Sequence, residues 1–210
     1  IIMSRGYDTE QKISDFLWPE KNELQSPFKM KGMKEAITTI NKAIADNKKI
    51  LIFGDYDVDG ISATAIMVKA FKKLGVNVDY FLPNRYIDGY GLSIDVIDKI
   101  NKQYSPNLII TVDCGITAVQ ETAHAKELGI DIIITDHHEI GEVVPDTTII
   151  NTKFNDQEYS FRGLCGTGVA YKLAVGLLGE ETCTEFLPIV AMATIADIVP
   201  LTDENRALVR

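Results

Sequence analysis

The chain has 210 residues, 46% hydrophobic and 24% charged, with a net charge of −9. That composition fits a globular protein with a sizeable core. No apolar run approaches the roughly 20 residues that cross a bilayer, which excludes a membrane-spanning helix. The first 49 residues carry nine Lys/Arg and seven Asp/Glu, so the remainder holds 12 basic and 23 acidic residues. This balance argues against a broad nucleic-acid-binding surface, unless bound divalent cations invert the local field. Three cysteines, Cys114, Cys165 and Cys183, show no CxxC spacing. They read as reduced thiols in a cytoplasm rather than as a disulfide framework or a zinc site. The start, Ile1-Ile2-Met3-Ser4, has no basic region followed by an apolar stretch, so no secretory signal is expected. A start other than Met, and a helix-like pattern running to Arg210, suggest a fragment of a longer chain.

Residues 1–47 read as a helical entry region. Met33, Ile37, Ile40 and Ile44 recur at spacings of three and four within 30–45, and Pro19 and Pro27 interrupt the chain before them. From Lys48 the pattern changes. The run 49–54 is a short apolar stretch of the buried parallel-strand type. A helix is expected over 61–74, a strand over 76–82, a Gly/Tyr-rich loop over 84–92 and a helix over 93–103. A strand over 108–112 precedes a helix over 116–128, and a further strand covers 130–134. Helices at 165–178 and 183–195 follow. Strands alternating with helices of these lengths predict an α/β fold: a parallel, Rossmann-like sheet with helices on both faces, carried by residues 48–210.

In such a sheet, ligands bind beyond the carboxyl ends of the strands. The acidic residues gather there. Gly54-Asp55-Tyr56-Asp57-Val58-Asp59-Gly60 follows the first strand, Asp113-Cys114-Gly115 the third, and Asp136-His137-His138-Glu139 the fourth; Asp197 ends the apolar stretch 189–195. Crowded carboxylates repel unless cations join them, and carboxylates with imidazoles suit Mn²⁺ or Mg²⁺. Each cluster also has a plain structural explanation. Asp113 alone is as readily a helix N-cap, the three acids before Gly60 a solvated turn, and the paired histidines surface residues. Their joint occurrence at successive strand ends is what favours metal. His124, in mid-helix, reads as structural. Gly60 precedes no Lys-Ser/Thr, the glycines at 163, 166 and 168 do not fit GxGxxG, and there is no GxSxG, so phosphate-loop and nucleophile-elbow chemistry is not indicated.

In this order the clusters resemble the DHH phosphoesterase superfamily, named for the triplet that stands here as 136–138. GDYDVDG at 54–60, PNRYIDGYGLS at 83–93, TVDCGI at 111–116, ITDHHE at 134–139, LCGTGVAYKL at 164–173 and ATIADIVPL at 193–201 are similar to the RecJ-like exonucleases. The resemblance implies metal-dependent 5′→3′ hydrolysis of single-stranded DNA in repair and recombination, with two Mn²⁺ or Mg²⁺ ions. It implies Asp57 and Asp59 as ligands of one ion each and Asp113 as a bridge. His137 and Asp197 join Asp59, and Asp55 is a supporting ligand. Asp136 and His138 form the catalytic pair, with His138 on the scissile phosphate. Arg85, Asn151, Gly166 and Gly168 become candidate substrate contacts. Phe53 stands where many small-substrate relatives carry a His, which argues against cyclic dinucleotides or very short oligonucleotides as substrates. A non-catalytic scaffold of the same fold is the reading from another class; such proteins typically lose these acids. RecJ-like proteins continue into a second domain and a nucleic-acid-binding module, so this stretch alone is expected to bind DNA weakly. Single-strand-binding protein and helicases are implied partners of the full-length enzyme.

Overall fold

The structure is a computed structural model and describes residues 2–19, 24–89 and 91–210. Tyr90, within the 83–93 motif, lies outside the described residues.

Five strands form one parallel sheet: β1 (Ile50–Phe53), β2 (Asp79–Phe81), β3 (Leu108–Val112), β4 (Asp131–Asp136) and β5 (Thr148–Asn151). Their order is β2-β1-β3-β4-β5. The chain leaves β1 toward β2, then returns to β3 on the other side. The direction of travel across the sheet therefore reverses between β1 and β3, which opens a crevice at their carboxyl ends. Pairing runs Ile50↔Leu108 to Phe53↔Thr111 between β1 and β3, and Asp136↔Asn151 closes the β4–β5 ladder.

Nine helices surround the sheet among the described residues: α1 (Glu10–Leu17), α2 (Met33–Ala45), α3 (Val58–Lys73), α4 (Ile94–Tyr104), α5 (Val119–Glu127), α6 (Gly166–Leu178), α7 (Glu180–Cys183), α8 (Leu187–Ala196) and α9 (Asp203–Val209). Side chains alternate across each strand and so divide the core in two. Ile52, Ile110, Val112 and Ile133 meet α2, α3 and α6, while Leu51, Phe53, Ile109 and Ile134 meet α4 and α5. Helix α2 presents Met33, Ala36, Ile40 and Ala43 to the first cluster. The stretch before Lys48 therefore shares its packing with the sheet. Gly32, at φ +78°, turns the chain into α2, and a side chain there would strike the backbone of Ile149.

Where bounds differ from the sequence expectation, local physics explains it. Helix α3 begins three residues early because Asp57 caps it, accepting from Gly60 N–H at 2.9 Å. Strand β4 runs two residues further, into Asp136. Helix α5 begins only at Val119, because the turn at 113–118 contains left-handed Asp113 (φ +63°) and Gly115 (φ +109°). Strand β5 carries no expectation in the sequence: it is four residues long, at a sheet edge, and lacks the apolar run of β1 or β3. Asp113 caps no helix. His124 is structural as expected, with Nε2 2.7 Å from Asp98 across α5 and α4. The three cysteines are buried and unpaired. No helix among the described residues is long and apolar enough to cross a membrane.

A Lys–Glu ion pair is buried between α6 and α9. Lys172 of α6 and Glu204 of α9 are both 2% exposed, with Nζ 2.5 Å from Oε2. Nζ also donates to the Gln25 carbonyl at 2.7 Å and faces the Tyr159 ring. Burial pulls the Lys172 ammonium below its ordinary range while Glu204 opposes that pull. Lys172→Met on its own strands the Glu204 carboxylate and is expected to lower the unfolding free energy by about 3–5 kcal/mol. Adding Glu204→Leu should return most of it. Urea unfolding measures both, and a single variant as stable as the parent would contradict the pairing.

Candidate metal centre

Six carboxylates and two imidazoles converge on the crevice between β1 and β3. Backbone amides hold four of the carboxylates, those of Asp55, Asp57, Asp59 and Asp136. Asp59, in the first turn of α3, is buried and accepts from two amides at the start of α6: Gly166 N–H at 2.6 Å and Thr167 N–H at 2.8 Å. The Thr167 hydroxyl donates to the Asp59 carbonyl at 2.8 Å. The free N–H groups of a helix start suit a carboxylate, and they aim Asp59 into the site. Asp57, more exposed, is held by its capping bond to Gly60. Buried Asp55 accepts from Tyr56 N–H at 2.7 Å.

Asp113 sits at the tip of β3 in a left-handed conformation that costs a non-glycine residue strain. Its N–H donates to the Thr135 carbonyl at 2.9 Å. Thr111 pins the turn by donating its hydroxyl to the Cys114 carbonyl at 2.8 Å. The carboxylate then lies against Gly166, where any Cβ would collide with it. Its Oδ1 is buried and accepts no hydrogen bond, although His137 Nε2 stands 3.1 Å away.

Asp136 ends β4 and is almost wholly buried. Its Oδ2 accepts from Ile116 N–H at 2.9 Å. Its Oδ1 accepts from His137 N–H at 2.7 Å and His138 N–H at 3.1 Å, and lies 2.7 Å from His138 Nδ1. Asp197, at the end of α8, is part-buried, with Oδ2 3.8 Å from His137 Nε2.

Three groupings emerge in which the potential ligand atoms all lie within 4.8 Å of one another: Asp55, Asp57 and Asp113; Asp59, His137 and Asp197; and Asp113, His137 and His138. Asp113 and His137 each belong to two of them. The electrostatics match. Burial first, then the charges of Asp59, Asp57 and Asp136, push the Asp113 carboxyl up to about 10 in the ion-free chain. Burial likewise raises Asp55 and Asp197. Burial would also raise Asp136, but the His138 hydrogen bond and charge and the Ile116 and His138 amides outweigh it and hold it low. The bond to Asp136 raises His138. A buried carboxylate oxygen without a donor, in a ring of carboxylates and one imidazole, fits a hard divalent cation such as Mn²⁺ or Mg²⁺.

The expected ligands Asp55, Asp57, Asp59, Asp113, His137 and Asp197 are thus brought together, with Asp136 and His138 beside them. The expected substrate contacts fare differently. Asn151 is fully buried and its amide is committed, Nδ2 to the His138 carbonyl at 3.0 Å and Oδ1 to Lys153 N–H at 2.8 Å. It braces the His138 loop. Gly166 and Gly168 are buried too: Gly166 makes room for Asp113, and Gly168 packs on Leu164. Arg85 is exposed on the rim, its guanidinium 5.5 Å over the Tyr56 ring. Sequence reading missed Thr167, Gly60 and the Ile116 amide. Only the place of Thr167, directly after the helix-opening Gly166, was a signal in the sequence; that a Cβ on Gly60 would strike Asp55 shows only in the structure.

Two outcomes follow. Asp55, Asp113 and Asp197 have folded-state affinities for protons above those of the unfolded chain, so the stability they contribute is present at low pH and lost as pH rises through their folded values. The metal-free melting temperature should therefore fall between about pH 5 and pH 9, and Mn²⁺ should reverse the fall at the alkaline end; a metal-free melting temperature rising over that span would refute the assignment. Gly166→Ala should displace Asp113 and weaken Mn²⁺ binding about tenfold or more in calorimetric titration, while Gly168→Ala should leave it within about twofold.

Comparison with known proteins agrees with this geometry. The family model described as "DHH family, N-terminal domain" matches residues 49–195. The single-stranded-DNA-specific exonuclease RecJ of Bacillus subtilis (strain 168) is 46% identical over 209 residues, which cover 99% of this chain and 26% of that relative. A crystal structure of exonuclease RecJ bound to manganese is similar with a TM-score of 0.78 at 33% identity, covering 89% of this chain and 48% of that one. RecJ from Thermus thermophilus in complex with Mn²⁺ gives a TM-score of 0.73 at 33% identity, covering 85% and 26%. The chain spans about a quarter to a third of the length of the curated RecJ relatives it matches. It belongs to the DHH family.

Proposed function

We propose that residues 48–210 are the catalytic domain, with 1–47 as its helical entry, of a RecJ-type exonuclease that hydrolyses phosphodiesters of single-stranded DNA from the 5′ end in repair and recombination. The observation that carries this reading is the pair of shared ligands, Asp113 and His137, which tie three groupings into one centre. Asp55, Asp57, Asp59, Asp113, His137 and Asp197 would hold divalent ions, which would supply water activation and charge neutralisation at the phosphate.

The chain's own residues divide the remaining work. Asp113 and His137 span the groupings and fix their separation. Asp59, clamped by the α6 amides, and Asp197 complete one side, and Asp55 and Asp57 the other. Asp136 orients the His138 ring through Nδ1 and raises its affinity for a proton. The other ring nitrogen is left to hydrogen-bond a phosphate oxygen. Arg85, exposed on the rim, is placed to grip a neighbouring phosphate, which a planar guanidinium does bidentately. Phe53, fully buried and stacked on Phe81 with ring centroids 5.9 Å apart, fills the position where small-substrate relatives carry a His. This favours a polymeric substrate. Such an enzyme acts in the cytoplasm, with single-strand-binding protein and helicases as partners that generate or present its substrate.

Asp113→Ala should abolish tight Mn²⁺ binding and lower single-strand degradation by about a hundredfold or more; unchanged nuclease rates would defeat the proposal. His138→Gln should keep Mn²⁺ binding and lose about 10²-fold in turnover. A preference for a dinucleotide over a long single strand, measured by competition, would instead favour a short-substrate phosphodiesterase.

A further inference from the structure

A group of exposed aliphatic side chains borders the metal centre, and none of the roles above uses it. Helix α3 leaves Val58 and Ile61 exposed at 47% and 46%, and α8 leaves Met192 and Ile195 exposed at 54% and 56%. Ile198 is 88% exposed. These residues interleave with the ligands in sequence. Val58 lies between Asp57 and Asp59, Ile61 two residues after Asp59, Ile195 two before Asp197, and Ile198 directly after it. The first turn of α3 and the last turn of α8 are brought together at the site, because Asp59 and Asp197 share a grouping through His137. Val58 and Ile61 are three apart on one helix, and Met192 and Ile195 three apart on the other, so each pair shares a helix face.

Ile198 is the informative member. It adopts φ +59°, a left-handed conformation that a β-branched residue enters only at a cost. The other non-glycine left-handed residues among those described are Asn47, Ser105, Asp113 and Asp203. All four are polar, and Asp113 is the proposed bridging ligand. Ile198 holds this geometry while 88% exposed within residues 1–210. Strain of this kind gathers at functional sites, and aliphatic patches of several residues mark contacts with other molecules.

We infer that Ile198, with Val58, Ile61 and Ile195, forms an aliphatic seat for the nucleobase and sugar next to the phosphate at the metal centre. This rests on the reading of that centre as a single-strand phosphodiesterase. In a nucleic acid the metal-seeking phosphates alternate with apolar base faces a few ångströms away. A surface that interleaves carboxylate ligands with branched aliphatics matches that alternation. Paired bases keep their faces stacked inside a duplex, so only an unpaired base offers its face to the seat. The patch therefore adds a preference for single strands that phosphate contacts do not supply, and one indifferent to base identity.

The test is equilibrium binding by fluorescence anisotropy, with the full-length protein in Mn²⁺ and strands carrying hydrolysis-resistant linkages, cleavage being scored separately on the unmodified strand. It compares a short oligothymidylate with an abasic strand of the same length, for the parent and for Ile198→Gly. Glycine is at ease at this backbone angle, so the variant should melt no lower than the parent. It should bind oligothymidylate about five- to tenfold more weakly, while its affinity for the abasic strand moves less than about twofold. Equal affinity of the parent for both strands, or equal losses on both in the variant, would overturn the seat. A parent dimer that becomes monomeric in the variant, seen by light scattering, would show instead that a second copy covers the patch. A parent that binds oligothymidylate in preference to the abasic strand but never cuts it would sink the nuclease reading and leave the seat standing.

Discussion

Mutual repulsion among buried carboxylates governs this molecule. Asp55, Asp59, Asp113 and Asp136 are each no more than 3% exposed, and Asp57 and Asp197 lie beside them. Two like charges about 4 Å apart near a protein surface cost on the order of 4 kcal/mol. Such a cluster is tolerable only if protons, imidazolium or cations enter it. The raised carboxyls of Asp55, Asp113 and Asp197 express the first remedy in the ion-free chain. Divalent ions are the second, and the backbone is arranged for them. Asp59 takes the α6 amides, Asp57 caps α3, and Asp136 is saturated by three N–H groups and a ring nitrogen. Within the cluster, Asp113 alone keeps a buried oxygen with no donor.

The fold serves that cluster. Reversal between β1 and β3 opens the crevice, and both strand ends deliver acids into it. Helix α6 matters most among the supporting elements, because its first amides hold Asp59 while Gly166 clears space for Asp113. Its position is fixed by packing on α3 and by the buried Lys172, which reaches Glu204 of α9 and the Gln25 carbonyl. A helix anchored at its middle in this way presents its N-terminus rigidly. That rigidity is what a shared-ligand centre needs, since displacing Asp113 or His137 would disturb two groupings at once.

Much of this was legible in the sequence. The strand over 108–112 has the same bounds in the structure, because five consecutive apolar or β-branched residues admit little else. The acids stand at strand ends where expected, since a parallel sheet gives its loops only one functional edge. What stayed hidden depended on tertiary contact. Strand β5 is defined by the ladder it completes rather than by its own composition. Asn151 looks like a polar residue available to a ligand until its amide is found under the His138 loop. Gly166 looks like a substrate-approaching glycine until the Asp113 carboxylate is seen against it. Thr167 carries no signal of its own apart from its place at the start of a helix whose partner lies 108 residues earlier. Ile198 is ordinary as a letter and informative only through its φ and its exposure.

The central claim is that one cluster holds divalent ions through shared ligands. Anomalous diffraction from crystals grown with Mn²⁺ addresses it directly. The account predicts two peaks about 3.5–4 Å apart, with Asp113 between them, His137 and Asp59 on one and Asp57 on the other. Peaks elsewhere in the molecule, or a cluster left without an ion at saturating Mn²⁺, would contradict it.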